Sequence, residues 1–581
     1  MKKIQYLFGL ILLLIGFSCT DDILDKKPLD QFSDADFWID PNMAVTAINQ
    51  LYVYLAPDDA FHEWESYTNN AIDGVLWAPS HTFNQKGWTA GDANANTRYW
   101  TMDCYIHGAP WDAPYTSTWK ICYREIRDCN IAIKNLTAQE NKSQRSEQLL
   151  AEAKFMRAYL YHMLTRFFGA VIIVDHPLGL NDEVNLPRNS YKECVDFMVK
   201  DLTEASEVLP DAWGASDKGR ATSGAALALK GRILLYGERW TDAANTYKIL
   251  MDKNTNSLYP DFARLFYQEN ENNQEVILDC QFKFPEFIYN GNSQTLSPSQ
   301  NGIGAGAPTQ NLVDQFELLD GKAWNDPTST YYNPNNPYEN RDKRFYATVQ
   351  YDQGVYFGKR LETGMGLDGN GNLVKGADID KNNDVTQTGY YLSKASNTSG
   401  ALIYNPWVPV PAAGTNVILI RYAEVLLSYA EAKNEATGPD QSVYDAVNEV
   451  RNRAGLPSLA AGLSKDQMRN KIKKERRTEL SLEFIYYYDC LRWKDRSNFV
   501  DKPKIVNIEY TYELNSDGTV KIDETNRKIV KSRKFTYSEY PEARTFNLDT
   551  DFGWFFPIPQ EEIDKNPNIV QNGAFQGNLK Q

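Results

Sequence analysis

The chain has 581 residues, enough for one large domain or several ordinary ones, and an ordinary globular balance of 42% hydrophobic and 24% charged residues. A formal net charge of -15 excludes the basic stripe that nucleic acid demands and argues against electrostatic attachment to anionic lipid. The unusual figure is 13% aromatic residues, which bring apolar faces with polar tips, as binding surfaces need.

The first element is an address. Lys2-Lys3, an apolar run from Leu7 to Leu14, and small residues before Cys19 make a secretory signal. The apolar run is too short for a permanent membrane helix. Leu14-Ile15-Gly16-Phe17-Ser18-Cys19 resembles the lipobox of bacterial lipoproteins, in which the signal is cut before a cysteine that takes a lipid. Residues 1–18 then form a signal peptide and 19–40 a lipidated tether. Thr20-Asp21-Asp22 resembles the surface-export signal of Bacteroidetes lipoproteins. No later apolar stretch approaches spanning length, so the lipid is the only anchor expected. Cys104, Cys122, Cys129, Cys194, Cys280 and Cys490 form no CxxC pair and read mostly as buried thiols.

A loop-rich zone from Ala56 to Pro114 carries Trp64, Trp77, Trp88, Trp100 and Trp111. Helical periodicity follows. Trp119 to Leu136 places Cys122, Ile126, Cys129 and Ile133 on one face, and Glu147 to Phe168 repeats apolar residues at three and four before Gly169. Ser190 with Glu193 predicts a capping box opening a helix toward Leu209 and Pro210. Ser223 to Tyr236 and Thr241 to Met251 predict a helical hairpin. From about Ser257 to Thr415, Gly, Asn, Pro, Ser and Tyr dominate, and so long an irregular stretch carries function or holds short strands. Helices return at Arg421 to Ala436 and Gln441 to Ala454, and Ser464 with Gln467 begins one expected to run to about Leu491. The predicted fold is mainly α: tetratricopeptide-like helical hairpins presenting two irregular, aromatic-rich regions.

The motifs favour binding over catalysis. The five histidines form no HExxH or other zinc spacing, and neither GxSxG nor GxxxxGK[ST] occurs. A glycosidase needs only two carboxylates, so spacing leaves a hydrolase open as an alternative. Asp378, Asp380, Asn382 and Asp384 alternate as in a calcium loop. Asn383 replaces the turn glycine, however, and Gly389 the twelfth-position glutamate, so the segment reads as a polar turn with calcium as the alternative. Arg476 and Arg477, with Glu475 and Glu479, read as helix charges that pair locally or cap neighbouring chain. Phe556-Pro557-Ile558-Pro559 reads as an extended packing clamp.

Several segments, in order, resemble the SusD/RagB family of outer-membrane lipoproteins. They are Ala153-Lys154-Phe155-Met156-Arg157-Ala158-Tyr159, Arg166-Phe167-Phe168-Gly169 and Arg220-Ala221-Thr222 in the first half. In the second half they are Arg421-Tyr422-Ala423-Glu424-Val425-Leu426-Leu427, Val447 to Leu456, Lys474 to Leu480, Asp489-Cys490-Leu491-Arg492-Trp493 and Phe556 to Ile563 with Asn566-Pro567-Asn568. The resemblance covers nearly the whole chain, with a SusD-like N-terminal helical part at 41–256 and a RagB/SusD part at 257–581 containing the loop-rich insert 257–415. It implies a surface nutrient-binding lipoprotein, most often for glycans, that caps a SusC-like TonB-dependent transporter and is not an enzyme. No cofactor is implied. A protein-binding scaffold remains the other alternative.

A sugar ring needs a flat aromatic for its C–H face and Asp, Asn or Arg for its hydroxyl rim. The first zone offers Asn69, Asp73, Trp77 and Trp88, of which Asp73 and Trp88 resemble sugar-contacting places of the family. The second offers Tyr338, Arg341, Arg344, Tyr390, Tyr391, Tyr404 and Trp407. At least one aromatic from each zone is expected at a common surface.

Overall fold

The computed structural model describes residues 34–55, 75–77, 114–283, 296–302, 306–379, 385–386, 388–394, 402–404, 409–411, 415–483, 485–495, 504–539 and 555–572. Cys19, Asn69, Asp73, Trp88, Cys104, Asp380, Asn382, Asp384 and Trp407 lie outside these described residues.

Local signals set the helix ends. Helix α1 (Pro41–Tyr52) starts where the Asp40 carboxylate accepts the Asn42 N–H at 2.8 Å, with Pro41 in the first turn. Helix α2 (Pro114–Thr137) precedes α3 (Gln144–Phe168), capped by Ser143 and ended at Gly169. The expected capping box of Ser190 and Glu193 opens α4 (Tyr191–Val208). Helices α5 (Ser223–Tyr236) and α6 (Trp240–Asp252) form the expected hairpin. After the insert come α7 (Tyr422–Thr437), α8 (Gln441–Arg453) and α9 (Lys465–Glu479), the last with its Ser464–Gln467 box.

Each helix packs on the next from α2 to α6. Helix α6 then packs on α7, although the insert separates them in sequence. The array is therefore continuous through space, and its apolar faces share one core containing Phe155, Leu164, Leu229, Leu426 and Ile472. Buried ion pairs fix its register. Arg157 grips Asp201 through Nε and Nη2, both at 2.8 Å, joining α3 to α4. Arg232 reaches Glu424 at 2.6 and 2.7 Å, joining α5 to α7. Cys122, Cys129, Cys194, Cys280 and Cys490 are free, buried thiols.

The insert is organised by short strands. Those of its entry ladder and of its largest sheet, with partners from beyond the insert, are in chain order β1 (Val276–Cys280), β2 (Met365–Leu367), β3 (Leu373–Lys375), β4 (Val417–Arg421), β5 (Lys504–Tyr512) and β6 (Val530–Glu539). Strands β1 and β4 pair antiparallel, Val417 with Cys280 and Arg421 with Val276, so the insert leaves and re-enters the helical array at one place. Strands β6-β5-β2-β3 form a sheet in that order, and β5 joins β2 in parallel. Along β5, Val506, Ile508, Tyr510 and Tyr512 are buried while Asn507, Glu509 and Thr511 are exposed, the period of a half-buried strand. Those buried residues close a second core with Phe316, Tyr338, Phe345 and Tyr390.

One element differs from expectation. The helix opened by Ser464 ends at Glu479, and a separate helix, α10 (Tyr486–Arg492), follows. Leu482 between them has a φ of 64°, which no helix tolerates. The carbonyls freed at this break are captured from the insert side. Lys394 Nζ donates to Glu479 O at 3.0 Å and to Ser481 O at 2.8 Å, and Arg421 Nη2 donates to Glu479 O at 2.8 Å. Buried cations thus cap the helix C-terminus, where its dipole favours positive charge.

Candidate functional site

The two loop-rich zones meet through their backbones. Val75–Trp77 pairs antiparallel with Gly306–Pro308, with Trp77 opposite Gly306 and Val75 opposite Pro308. Gly306–Pro308 in turn contacts Tyr391–Leu392, whose strand pairs with Val349–Gln350. Leu402–Tyr404 pairs with Pro409–Pro411, Tyr404 opposite Pro409. Trp77 and Tyr404 are therefore placed on short strands within or against the insert.

The other expected contact residues of the insert are interior. Arg344, expected at the ligand surface, is fully buried. Its Nη1 donates to Glu475 Oε1 at 2.6 Å and Glu479 Oε2 at 3.0 Å, and its Nη2 to Asp342 Oδ2 at 2.7 Å, so every face of the guanidinium is committed to the fold. Tyr390 is likewise fully buried; its hydroxyl donates to Gln310 Oε1 at 2.5 Å and its ring meets Tyr338 edge-on. Arg341 is spent on the carbonyls of Val313, Phe316 and Pro337. Tyr338 and Tyr391 are core residues too. The insert is thus an aromatic-rich core of its own, since its strands and turns bury Tyr as a helical array buries Leu.

Asp378, the described member of the candidate calcium set, is buried as well. Its carboxylate accepts the Ser299 N–H at 3.2 Å and the Glu362 N–H at 3.0 Å, with Arg527 at 3.7 Å. It pins two turns of the insert. No group of three or more His, Cys, Asp or Glu among the described residues could hold a metal.

A cleft of about 360 Å³ opens where both zones leave the helical array. Its walls are the end of α1 with the following turn to Leu55, the turn Ser216–Arg220, and Asp279–Gln281 at the end of β1. The wall at Arg220 is built by charge: its Nη1 donates to Glu152 Oε2 and its Nε to Asp217 Oδ1, both at 2.7 Å, and Asn49 takes Nη2. Tyr52 donates to Glu152 Oε2 at 2.7 Å and accepts the Ala221 N–H at 2.9 Å. Gly219 has a φ of 97°, a left-handed backbone that favours glycine, and a side chain there would displace the Gln281 amide. Burial pushes the Asp279 carboxyl up, against an Asn416 amide that donates to it at 2.8 Å. Asn49, Lys218, Asp279 and Gln281 give this opening both donors and acceptors, the complement of a hydroxyl-rich ligand.

Sequence reasoning passed over this cleft because its residues come from three separate segments. It also passed over the charged seam under the insert. Glu479 accepts from Arg344, Arg421 and Arg453. Glu475 accepts from Arg344 and Arg451, and Glu275 from Arg421 and Arg453. Burial alone would raise the Glu479 carboxyl, but Arg453, Arg421 and Arg344 outweigh it and hold it well below the usual carboxylate range. Arg476 is not a local helix charge either: its Nε donates to Asp489 Oδ2 at 2.7 Å on α10. The clamp at Phe556-Pro557-Ile558-Pro559 is as expected. Phe556 N–H donates to Phe167 O at 2.8 Å, and Gln571 brackets both main-chain groups of Ile558.

A paired-helix array carrying an irregular, aromatic-rich insert on one charged seam defines a scaffold of the tetratricopeptide-like class. The chain belongs to the SusD family, whose model matches residues 267–575. A second family model, described as starch-binding associating with outer membrane, matches residues 24–235. A SusD-like protein of Bacteroides ovatus is 24% identical over 95% of both chains. The crystal structure of a SusD-like protein from Bacteroides fragilis aligns with a TM-score of 0.71 and 27% identity over 94% of this chain and 99% of that one. A second Bacteroides fragilis structure, of a SusD-like carbohydrate-binding protein, gives a TM-score of 0.70 at 24% identity, over 92% of this chain and all of that one.

Proposed function

We propose that this chain is a cell-surface glycan-binding lipoprotein, anchored in the outer membrane through Cys19, that hands its ligand to a SusC-like TonB-dependent transporter. The observation that carries the reading is the pairing of Val75–Trp77 with Gly306–Pro308, which joins the tryptophan-rich zone to the insert. Membership of the SusD family and the starch-binding description of the model matching 24–235 supply the ligand class. The ligand site is the surface shared by Asn69, Asp73, Trp77 and Trp88 of the first zone with Tyr404 and Trp407 of the second. Its task is binding without bond cleavage, and it calls for no cofactor. Retardation in native gels containing single polysaccharides tests it, with chromatography of oligosaccharides incubated with the protein. Retardation by at least one glycan without new products is the expected result; no retardation by any glycan, or release of shorter sugars, overturns it.

A further inference from the structure

The cations of α9 divide into two kinds. Arg469 donates to both oxygens of Glu435 at 2.6 Å, Lys474 to Glu317 at 2.7 Å, and Arg476 to Asp489 at 2.7 Å. Lys473 and Arg477 have no such acid. Among the described residues neither side chain makes a hydrogen bond or an ion pair, and the Arg477 Nε is buried without an acceptor. Carboxylates are not scarce in a chain with 76 acidic residues against 61 basic ones. A buried guanidinium N–H left unpaired costs free energy, so the omission calls for a physical reason.

Both cations lie on aromatic rings instead. Arg477 stands over the Tyr486 ring of α10, 5.0 Å from its centroid. Lys473 stands over Trp493, the residue after α10, at 4.6 Å. The two rings meet edge-on at 6.3 Å and form one platform under both charges. Lys473 and Arg477 are four residues apart and so are neighbours on one helix face. A guanidinium held against a ring keeps its N–H fork for an acceptor with two oxygens.

The surrounding fold supplies no such acceptor. Glu431 on α7 is committed to Arg492 at 2.5 and 2.7 Å, and Asp489 on α10 to Arg476 and Arg492. The carbonyls at the end of α9 are taken as well: Glu479 O accepts from Lys394 and Arg421, and Ser481 O from Lys394. The helix dipole favours positive charge here, but those carbonyls have no hydrogen bond left to offer Arg477.

We infer that Lys473 and Arg477 form an anion site between α9 and α10 for one oxyanion group, a sulfate or carboxylate, free or carried on a sugar. The Arg477 fork takes two oxygens, and the Lys473 ammonium adds a point charge beside them. The site goes beyond the loop-rich surface proposed above, and no residue of that surface takes part in it.

The test is equilibrium dialysis of the mature full-length protein against radiolabelled sulfate, with ionic strength held constant by sodium chloride. Wild type is compared with Lys473→Gln and with the double variant Lys473→Gln, Arg477→Gln, after melting curves confirm that they fold. Wild type is expected to bind one sulfate per chain. Lys473→Gln is expected to lose several-fold in affinity and the double variant about tenfold or more, because hydrogen bonds between charged groups are the strong ones. Displacement by glucose 6-sulfate separates the two sources. Tighter displacement than by unlabelled sulfate supports the site with a sulfated sugar as its ligand, and equal displacement supports it with the free anion. No saturable sulfate, or the same sulfate affinity in wild type and double variant, overturns the inference. Should the double variant fail to fold, unchanged affinity in Lys473→Gln overturns it. Retardation by neutral polysaccharide in native gels is expected to be the same in wild type and variants, so the failure of either reading leaves the other standing.

Discussion

Arg421 holds Glu479 with two atoms: its Nη1 donates to the carboxylate Oε1 at 2.5 Å and its Nη2 to the main-chain carbonyl at 2.8 Å. Arg421 is the residue at which the insert re-enters the helices, and Glu479 is the last residue of α9. One contact therefore closes the insert, ends a helix and anchors the seam between the two cores. Arg344 reaches the same carboxylate from the insert side at 3.0 Å. The insert that positions the proposed ligand surface is thus tied to the helical array by buried charge as well as by Ile277, Leu278 and Phe282, which join the helical core.

The first prediction follows from that seam. Glu479→Ala strands Arg344, Arg421 and Arg453 in the interior at once. Removing one partner of a buried ion pair costs about 3–5 kcal/mol, because the remaining charge is left without compensation. Urea denaturation of wild type and variant checks this. A loss under about 1 kcal/mol would show that the arginines re-pair with Glu275, Glu475 or Glu483.

The second concerns pH. Burial alone would raise Glu431, but Arg492 and then Arg476 outweigh it and push its carboxyl down from 4.5 to about 2. A carboxyl depressed in the folded state gives stability that is complete above its unfolded value and is lost as pH falls through its folded value. The window is therefore from about pH 4.5 down to about 2. Glu479 and Glu483 shift in the same direction. The contribution of Glu431 is on the order of 3 kcal/mol. Glu431→Gln is expected to lower stability at neutral pH and to flatten the acid limb of a melting-temperature profile. An acid limb as steep as that of wild type would remove Glu431 as a source of it.

The helical array was legible because its signals are local. Ser190 with Glu193, Ser464 with Gln467, and Gly169 as a stop act within one turn of chain, and apolar spacing reports the buried face directly. What the sequence hid is long-range. Glu475 and Glu479 look like ordinary helix charges until Arg344, more than a hundred residues away, is placed against them. Arg344 and Tyr390 were misplaced for a related reason: polar and aromatic residues in a loop-rich stretch suggest a surface, yet short strands must bury something, and here they bury these. Strand β5 drew no expectation from sequence, and its partner β2 lies far upstream in the insert. Of the expected contact residues, Trp77 and Tyr404 are placed by backbone pairing.

Gly389 gives the third prediction. It stood at the twelfth position of the candidate calcium loop, where a glutamate would be needed. The structure supplies a different reason for glycine. Its φ is 87°, and a side chain would fall 2.5 Å from Val506 Cγ1 and 2.7 Å from Val506 O. Here β5 lies directly against the loop, with Val506 N–H donating to Thr388 O at 3.0 Å. Gly389→Ala is expected to cost about 1–3 kcal/mol from backbone strain alone, and more if β5 shifts. A denaturation midpoint equal to wild type would show that the strand moves freely.

The fourth tests the anchor. Cys19→Ala removes the thiol that would take the lipid, while the mature chain is unchanged beyond that residue. Membrane fractionation with surface protease accessibility is the measurement. The variant is expected to accumulate as precursor or away from the outer surface. Normal processing and surface retention would mean that something other than a lipid on Cys19 holds the protein there.

The last prediction sets Trp88 against Tyr390, which sequence placed together as sugar platforms. Gly87 and Gly91 lie close to Trp88 in the sequence, and from that composition a partly exposed ring is expected. Stacking one sugar face on an indole removes about 80 Å² of apolar surface from water; at about 25 cal/mol per Å² that is roughly 2 kcal/mol, or about 30-fold in affinity. Trp88→Ala is therefore expected to weaken glycan binding by about that factor and leave the melting temperature nearly unchanged. Tyr390 is fully buried, with its hydroxyl on Gln310 and its ring against Tyr338, in the core beneath the strand pair that joins the two zones. Tyr390→Ala is expected to cost about 3–5 kcal/mol of stability. Its effect on affinity would then be indirect and would scale with the folded fraction. Calorimetry with a glycan found by gel retardation, beside melting curves on both variants, separates a contact residue from a supporting one. Unchanged affinity with a large loss of stability in Trp88→Ala would move that ring to the interior and leave Trp77 and Trp407 as the tryptophans to test.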